Sequence, residues 1–369
     1  MKFIPLASPN ISEDDINAVA RVLRSGMLVQ DVVVKDLEVA VAERLSVRNV
    51  IAASSGTATL HLALVALGIQ AGDQVIVPAF SHVATGNVVE IIGAECVFVD
   101  VERDTFNIDV SKIATAITPR TRAIMPVHEF GLACDISQIV EIAENAGLVV
   151  IEDAACGLGA TEGHRFVGTA GNAGSFSLHP RKAITSGEGG LIATNNDDLA
   201  ERLRILRNHG ISTNNGKQDF VAAGYNYRLT DFQAALVRPQ LDRLSAILLH
   251  RRAMADIYLS ELCNENKLQL PSEKPGKVHA WQTFHVVVDP TIDRDGLIRS
   301  LLDRGIGASY GAQCIPATTY YRQKYGLDCE QLFPNALRAF THGLALPLHE
   351  KLTADDVRYV SNTLRELLN

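Results

Sequence analysis

The sequence predicts an α/β fold, in which a large domain with a mostly parallel sheet covered by helices precedes a smaller C-terminal α+β domain. Between residues 50 and 193, short apolar runs alternate with helical stretches, which is typical of parallel strands buried on both faces. After a long helical stretch at about residues 236–259, the pattern changes to an isolated strand and amphipathic helices. This change predicts a large domain over residues 1–245 and a small domain over residues 246–369.

The composition is that of a soluble globular protein, with 47% hydrophobic and 21% charged residues. The net charge of -8 and the lack of a Lys/Arg-rich run argue against a nucleic-acid partner. No apolar run is long enough to span a membrane, and the apolar stretch at the N-terminus is too short for a signal peptide. The six cysteines are scattered without a CxxC pair, so we expect no metal site, no disulfide framework and a cytoplasmic location.

The first 45 residues predict two helices joined by an extended segment. Ser12 precedes acidic residues and apolar residues at helical spacing, so we expect it to cap a helix that ends at Gly26. Residues 27–30 are expected to be extended, and residues 34–44 are expected to form an amphipathic helix.

The apolar runs that follow are the candidate strands of the sheet. In open α/β sheets, ligands bind beyond the carboxyl ends of the strands, so the polar residues that follow these runs are candidate site residues. The runs cover residues 50–53, 74–77, 96–99, 123–127, 148–151 and 190–193.

The C-terminal part predicts a linking helix and a small domain. One long helix is expected over residues 236–259, with Pro239 near its start as a candidate kink. In the small domain we expect a strand over residues 284–288 and helices over residues 294–304 and 353–368.

Two stretches near the first strands carry groups suited to a phosphorylated, planar ligand. Gly56 and Thr57 begin a helix directly after a strand, and free N–H groups at a helix N-terminus form an anion site. His82 follows another strand, where an imidazole can stack on a planar cofactor. The alternatives are an ordinary capped helix and a loop histidine.

Three further residues carry the chemistry of a candidate site. Asp153 ends the most apolar run, where a buried carboxylate needs a partner; a protonated pyridine nitrogen and an arginine are both open. Lys182 lies between an apolar-aromatic strand and a glycine cluster, with His179 and Arg181 nearby. An electropositive, partly buried setting lets such a lysine lose its proton and form a Schiff base, whereas a surface lysine is the alternative. Asn226 belongs to a polar cluster just before a long helix, and a polar helix cap is the alternative for this cluster.

In this order, the motifs resemble the StrS/DegT-type nucleotide-sugar aminotransferases, which use pyridoxal 5′-phosphate (PLP) on the aspartate aminotransferase fold, known as fold type I. The resemblance covers nearly the whole chain. It is carried by Ser55-Gly56-Thr57-Ala58, Val77-Pro78-Ala79-Phe80, Ile117-Thr118-Pro119-Arg120-Thr121, Met125-Pro126-Val127-His128, Glu152-Asp153-Ala154-Ala155, His179-Pro180-Arg181-Lys182, Gly187-Glu188-Gly189-Gly190 and Gly224-Tyr225-Asn226-Tyr227-Arg228.

The resemblance implies a role for each candidate residue. Lys182 would be the Schiff-base lysine, Asp153 would pair with the pyridine nitrogen, and His82 would take the place of the stacking aromatic residue. The phosphate would be held by Gly56, Thr57 and Ser177. Asn226 would reach the phosphate from the partner subunit, which implies a homodimer with a shared active site.

The sequence departs from the family pattern at three places. Cys156 stands where the family usually has Gln, Glu or His, so the hydrogen bond made there to the ring is in question. Asp31 stands where many members have Gly, and residues 311–316 replace a loop that often contains His and Pro. The last two changes are expected to fall where the sugar is recognised.

The resemblance further implies a two-stage transamination in amino sugar biosynthesis, for polysaccharides or antibiotics. L-glutamate would give its amino group to the cofactor, and a nucleotide-linked keto sugar would then accept it. A cyclitol (keto-inositol) aminotransferase and a non-catalytic PLP-binding regulatory protein are the alternatives. A PLP-dependent sugar dehydratase fits less well because the resemblance would put a histidine at position 182. A nicotinamide dehydrogenase also fits less well, since no GxGxxG follows the first strand.

Overall fold

A computed structural model describes residues 3–214 and 216–369 and shows a mixed α/β protein. The helices are α1 (Glu13–Ser25), α2 (Val32–Leu45), α3 (Gly56–Ala66), α4 (Ala84–Ile91), α5 (Val110–Ala116), α6 (Ile136–Ala146), α7 (Asp197–Arg207), α8 (Asp231–Asp242), α9 (Leu244–Leu262), α10 (Arg294–Asp303), α11 (Thr319–Tyr325), α12 (Cys329–Leu332), α13 (Pro334–Thr341) and α14 (Ala354–Leu368).

The strands are mostly short. They are β1 (Asn49–Ala53), β2 (Gln74–Pro78), β3 (Phe80–Ser81), β4 (Glu95–Val99), β5 (Thr121–Ile124), β6 (Val149–Asp153), β7 (Thr161–Glu162), β8 (Arg165–Phe166), β9 (Ala173–Ser177), β10 (Gly190–Thr194), β11 (Ile211–Asn214), β12 (Lys217–Phe220), β13 (Leu268–Gln269), β14 (Lys277–Val278), β15 (Phe284–Val288), β16 (Gln313–Cys314) and β17 (Gly343–Leu346).

The central sheet has seven strands in the order β1-β10-β9-β6-β5-β2-β4. Strands β4, β2, β5, β6 and β9 run parallel, whereas β10 and β1 are antiparallel to their neighbours. The mostly parallel sheet predicted from the sequence is therefore confirmed. Its parallel part brings the carboxyl ends of β6 and β9 to the same edge, since Asp153 pairs with Ser175.

Both faces of this sheet are buried, which explains why its strands are apolar without alternation. On β2, Val75 and Val77 belong to the hydrophobic cluster that includes α3, while Ile76 belongs to a second cluster. That second cluster includes Ile113 of α5 and Ile139 of α6. The helices thus cover the sheet from two sides, and its edge is left for a site.

The C-terminal residues form a second core around a three-stranded antiparallel sheet in the order β13-β15-β17. Helices α9, α10 and α14 contribute apolar residues to this core, among them Tyr258, Leu301 and Leu364. Ile4 joins it through a parallel bridge to Ile306. The predicted strand and both predicted helices of this region are present.

The single long helix predicted over residues 236–259 is wrong, because α8 and α9 meet there at Arg243. Helix α8 begins earlier than predicted, since Thr230 and Gln233 form a capping box. Pro239 lies inside α8 rather than at the junction. At the junction, the N–H of Arg243 bonds to Gln240 O at 3.1 Å, which tightens the last turn. The guanidinium of Arg243 contacts both carboxylate oxygens of buried Asp15, at 3.0 and 2.8 Å.

The N-terminal prediction is confirmed for the helices but not for the segment between them. Ser12 and Asp15 form a capping box, and Gly26 ends α1 in the left-handed conformation, with φ 75°. The segment from residue 27 to 30 belongs to no strand. Within the described residues, none of the helices combines the length and apolar character that crossing a membrane requires.

Candidate active site

The candidate site lies at the carboxyl edge of the parallel strands, as the sequence predicts. Strand β6 ends at Asp153 and strand β9 ends at Ser177. The N-terminus of α3 reaches the same edge, because a Cβ added to Gly56 would lie 3.0 Å from the Cβ of Ser177. Three separate stretches of sequence thus meet at one place.

Lys182 is held in a turn that follows β9. Its N–H bonds to His179 O at 2.8 Å, and its partly buried side chain ends 3.1 Å from the Sγ of Cys156. A small pocket beside it is lined by Cys156, Ser177, Lys182 and Gln282, among others. A partly buried amine in a pocket at the sheet edge is the setting that a lysine nucleophile needs.

Cys156 faces Lys182 as a thiol rather than as a thiolate. Burial raises the pKa of the Cys156 thiol, although the charge of Lys182 acts in the opposite direction. A thiol is a weak hydrogen-bond donor. Lys182 and Cys156, both predicted to contact the cofactor, therefore lie together in the structure, but Cys156 offers only a weak hydrogen-bond donor.

Asp153 is buried and makes its hydrogen bonds with neutral groups. The hydroxyl of Thr85 donates to its Oδ2 at 2.8 Å, and the N–H of Ala155 donates to its Oδ1 at 3.2 Å. In the part of the chain that the structure describes, Asp153 forms no ion pair with an arginine. Of the two partners left open by the sequence, an arginine is therefore not the one present.

Glu152, the preceding residue, is fully buried and serves the protein itself. Its carboxylate accepts hydrogen bonds from the N–H groups of Gly168, Ala170 and Gly171 at 2.7 to 2.8 Å, and from His128 Nε2 at 2.9 Å. Burial opposes its charge, but these bonds outweigh it and lower the pKa of Glu152. Since His128 Nδ1 accepts the N–H of Cys134 at 3.2 Å, a neutral imidazole with its proton on Nε2 fits this network.

The start of α3 forms a cradle of hydrogen-bond donors. Ser55 caps the helix by accepting the N–H of Ala58 at 3.0 Å, so the N–H groups of Gly56 and Thr57 stay directed away from the helix. Thr57 is exposed, and the hydroxyl of Ser177 lies beside Gly56. The close approach of Gly56 and Ser177 leaves little room for a side chain at position 56.

His82 lies on an exposed turn between β3 and α4, and its Nδ1 accepts the N–H of Ala84 at 3.2 Å. Partial burial lowers the pKa of His82, and the charge of Lys182 lowers it further, while Asp153 raises it. His82 is therefore close enough to Lys182 and Asp153 for their charges to change its pKa. A neutral imidazole at this position has a face available for a planar ligand.

Asn226 lies between β12 and α8. It is exposed, and its backbone pairs with that of Asn208. Tyr225 and Tyr227 stack on each other at 5.0 Å on either side of it. Its amide makes no hydrogen bond within residues 3–214 and 216–369.

Three site residues were missed by the sequence argument: Ser81, Thr85 and Glu129. Ser81 and Thr85 follow β2 and lie 3.1 Å apart through their hydroxyls, and Glu129 follows β5. The rule that ligands bind beyond strand ends applies to all three. Polar residues after the strands were therefore an available signal, but their spacing alone does not specify which of them face inward.

The residues present fit PLP by the chemistry of their donor groups. The amides of Gly56 and Thr57 and the hydroxyl of Ser177 would hold the phosphate. The carboxylate of Asp153 would hold the protonated pyridine nitrogen, and the amine of Lys182 would bond the aldehyde carbon. Two structural features support this fit. Gly56 and Ser177 are in close contact, and among the described residues no arginine pairs with Asp153.

The comparisons with known proteins bear on the family of the chain. A sequence model of the DegT/DnrJ/EryC1/StrS aminotransferase family matches residues 9–365. The chain is 36% identical over 379 aligned residues to MJ1066, an uncharacterized protein of Methanocaldococcus jannaschii. The alignment covers 100% of this chain and 98% of that protein.

Solved structures give the same result. Spr1654 from Streptococcus pneumoniae, a candidate sugar aminotransferase in its PMP form, has a TM-score of 0.94 at 28% identity, over 99% of each chain. The same protein was also solved in a PLP form. The aminotransferase TlmJ from Streptoalloteichus hindustanus has a TM-score of 0.93 at 30% identity, over 99% of each chain. The chain belongs to the DegT/DnrJ/EryC1/StrS aminotransferase family and is a PLP-dependent enzyme of fold type I.

Proposed function

We propose that the protein transfers the amino group of L-glutamate to the keto group of a nucleotide-linked sugar. The observation that carries this proposal is the position of Lys182, whose amine lies 3.1 Å from the Sγ of Cys156, three residues after Asp153 ends β6 at the sheet edge. The description of Spr1654 as a candidate sugar aminotransferase supports a sugar as the acceptor.

Lys182 has two tasks in this proposal. Its amine bonds the cofactor in the resting enzyme, and after its release by the amino donor it moves a proton between the substrate Cα and the cofactor. His179 and Arg181 flank it, and burial, ahead of the charges of Lys182 and Arg181, lowers the pKa of His179.

The other site residues hold the cofactor in place. PLP supplies an electron-withdrawing ring when it is bound. Asp153 keeps the ring nitrogen protonated, and Thr85 keeps the Asp153 carboxylate oriented through its 2.8 Å hydrogen bond. Gly56, Thr57 and Ser177 hold the phosphate, and His82 covers one face of the ring.

A cleft next to Lys182 suits an anionic substrate. It is lined by Arg181, Gln282 and Ser309, among others. Gln282 also lines the pocket at Lys182, and its amide donates to Arg181 O at 2.5 Å. A guanidinium matches both the carboxylate of glutamate and the phosphates of a nucleotide.

The active unit in this proposal is a homodimer with a shared site. Asn226 is exposed and lacks a side-chain partner within the described part of its own protomer, so it is available to the phosphate bound by a second copy. The exposed residues Phe220 and Val221, at 71% and 57%, precede it on the same segment. Apolar side chains exposed to this extent are suited to a protein contact.

The visible absorbance of the purified protein tests the first half of this proposal. We expect a band that falls when L-glutamate is added, because the cofactor then leaves Lys182 and takes up the amino group. A band that stays unchanged with L-glutamate would contradict the proposed donor, and no band after incubation with PLP would contradict the role of Lys182.

The acceptor is tested by adding keto compounds to the glutamate-treated protein. Recovery of the band with a nucleotide-linked keto sugar, and not with the same sugar freed of its nucleotide, is the expected result. Recovery with a free keto-inositol instead would overturn the proposed acceptor in favour of a cyclitol.

A further inference from the structure

Glu129 is a buried carboxyl group at the site to which no task has been assigned so far. It is 5% exposed and lies in a short turn after β5, with its N–H bonded to Asn107 Oδ1 at 2.8 Å. Its Oε2 is buried and has no hydrogen-bond partner among the described residues. An unpaired buried carboxyl oxygen is costly, so it requires either a proton or a ligand.

The backbone around Glu129 is fixed against Cys156. The next two residues, Phe130 and Gly131, have positive φ angles of 54° and 96°. A Cβ added to Gly131 would lie 2.9 Å from the carbonyl oxygen of Cys156, so the two loops are in close contact. Glu129 lies two residues before this contact, and its charge acts on the Cys156 thiol.

The hydroxyl groups between Glu129 and Asp153 determine where protons are available. Thr85 has one hydroxyl hydrogen, and it is used in the bond to Asp153. The contact between Ser81 and Thr85 at 3.1 Å then requires Ser81 to donate. Ser81 lies beside Glu129, and a hydrogen bond donated by its hydroxyl would lower the pKa of that carboxyl group, but its one hydrogen is engaged with Thr85. A hydrogen bond between Ser81 and Glu129 would therefore need a protonated Glu129 as the donor.

The charges around Glu129 favour the same protonation state. Burial, and next the carboxylate of Asp153, raise the pKa of Glu129 to about 8, although Lys182 acts in the opposite direction. Cys156 faces the same group as a neutral thiol. His128 is adjacent in the chain but uses its two ring nitrogens on Glu152 and Cys134. Glu129 is thus uncharged below about pH 8.

One polar group of PLP has no partner in the proposed site. The proposed site accounts for the phosphate, the ring nitrogen and the aldehyde carbon, but not for the ring hydroxyl next to that carbon. Cys156 is close to Lys182, but its thiol is a weak donor and already contacts the lysine amine. A protonated carboxyl group is a stronger hydrogen-bond donor than a thiol.

We propose that Glu129 is a carboxylic acid that donates a hydrogen bond to the ring hydroxyl of the cofactor, where Cys156 provides no adequate donor. The inference rests on the proposed arrangement of Lys182 and Asp153 around the ring. Glu129 is then a cofactor-binding residue whose ionisation removes the donor and places a second negative charge beside Asp153.

The test measures the binding of pyridoxamine 5′-phosphate to the full-length protein freed of cofactor. This probe carries the ring hydroxyl but forms no covalent bond with Lys182, so its affinity does not depend on the chemistry of the lysine. Three variants are compared with the parent at pH 6.5 and pH 9. Glu129→Gln keeps a donor that does not ionise, Glu129→Leu removes the donor, and Glu144→Gln changes an exposed acid on α6 as a control.

At pH 6.5 we expect the parent, Glu129→Gln and Glu144→Gln to bind equally, and Glu129→Leu to bind about 10-fold more weakly. At pH 9 the parent should bind about 10-fold more weakly than Glu129→Gln, because about one molecule in ten then keeps its proton on Glu129. Equal binding by Glu129→Leu, or the same loss at pH 9 in the parent and Glu129→Gln, would overturn the proposal. A failure of the glutamate-induced absorbance change with these results intact would instead count against the proposed function.

Discussion

Glu152 and Asp153 are adjacent carboxylates whose surroundings give them different tasks. Because successive side chains of a strand point to opposite faces, only one of them faces the site. Glu152 accepts hydrogen bonds from three backbone N–H groups and from His128, so its carboxylate is fully engaged within the protein. Asp153 receives a single hydroxyl and one weaker N–H bond, which leaves its charge available for a ligand.

Lys182→Ala is expected to lower the transamination rate by about 1,000-fold or more, since the variant loses both the covalent anchor and the proton carrier. The rate is measured with L-glutamate and the acceptor identified in the substrate screen. Glu144→Gln serves as the control and should retain the parental rate. A Lys182→Ala protein as active as the parent would show that the amine has another function.

Glu129→Gln is expected to stabilise the protein relative to the parent as the pH rises from about 5 to 8. The pKa of Glu129 rises on folding from the usual 4.5 to about 8, so the folded state holds a proton that the unfolded state releases. Stability linked to this group is fully present below pH 4.5 and is lost as the pH rises towards 8. Glutamine does not titrate and escapes this loss.

Thermal unfolding of the cofactor-free protein measures this effect. The midpoint of Glu129→Gln relative to the parent should increase by roughly 3–5 °C between pH 5 and pH 8, because each pKa unit corresponds to about 1.4 kcal/mol. Glu144→Gln should show no such trend. A constant difference between parent and Glu129→Gln at both pH values would mean that Glu129 titrates near its usual pKa.

At the scale of elements, the sequence predicted what depends on local signals. The capping residue Ser12 located α1, helical spacing located α14, and the apolar runs located most strands of the central sheet. The reversed direction of β10, which is antiparallel to both β1 and β9, was not predictable, since an apolar run gives no information about the direction of its strand. The junction between α8 and α9 was also missed, because it depends on Arg243 reaching Asp15 across 228 residues of sequence.

The site was predictable to a similar extent. Lys182 and Asp153, which we propose contact the cofactor, lie after strand β9 and at the end of strand β6, as the sequence predicts. Thr85 and Glu129 were missed, because their importance comes from the hydroxyl chain and from burial, which exist only in the folded protein. The division of the chain at residue 245 stays a prediction.

Glu152→Gln is expected to destabilise the end of β6 and the loop before β9. Gly168 and His128 donate to Oε2, and Ala170 and Gly171 donate to Oε1. In either orientation the NH2 group of glutamine would face two donors and leave them unpaired.

The expected loss in unfolding free energy is about 2–4 kcal/mol, from two unpaired buried donors. Denaturant unfolding measures it, and the exposed change Glu144→Gln should stay within about 0.5 kcal/mol of the parent. A Glu152→Gln protein as stable as that control would show that the loop is held by other contacts.

At the scale of the whole molecule, the exposed apolar residues support the proposed homodimer. Helices α1 and α2 and their connection expose Leu23, Val29 and Val32 at 54%, 64% and 67%. The hairpin formed by β11 and β12 exposes Phe220, as noted above, and leads towards Asn226. Covering such residues with a second copy would remove apolar area from water and bring Asn226 to the other protomer's phosphate.

Subunit complementation tests whether the active site is shared. Lys182→Ala and Asn226→Ala chains, each with a different affinity tag, are co-expressed and purified through both tags. In the mixed dimer, the site that keeps Lys182 receives Asn226 from its partner and is complete, while the other site lacks both residues. One site in two is then active, so we expect the mixed dimer to have about half of the parental rate. Each mutant homodimer alone should be at least about 10-fold less active than the parent. If Asn226 instead served the site of its own chain, each site of the mixed dimer would lack one residue, and its rate would not exceed that of the two homodimers.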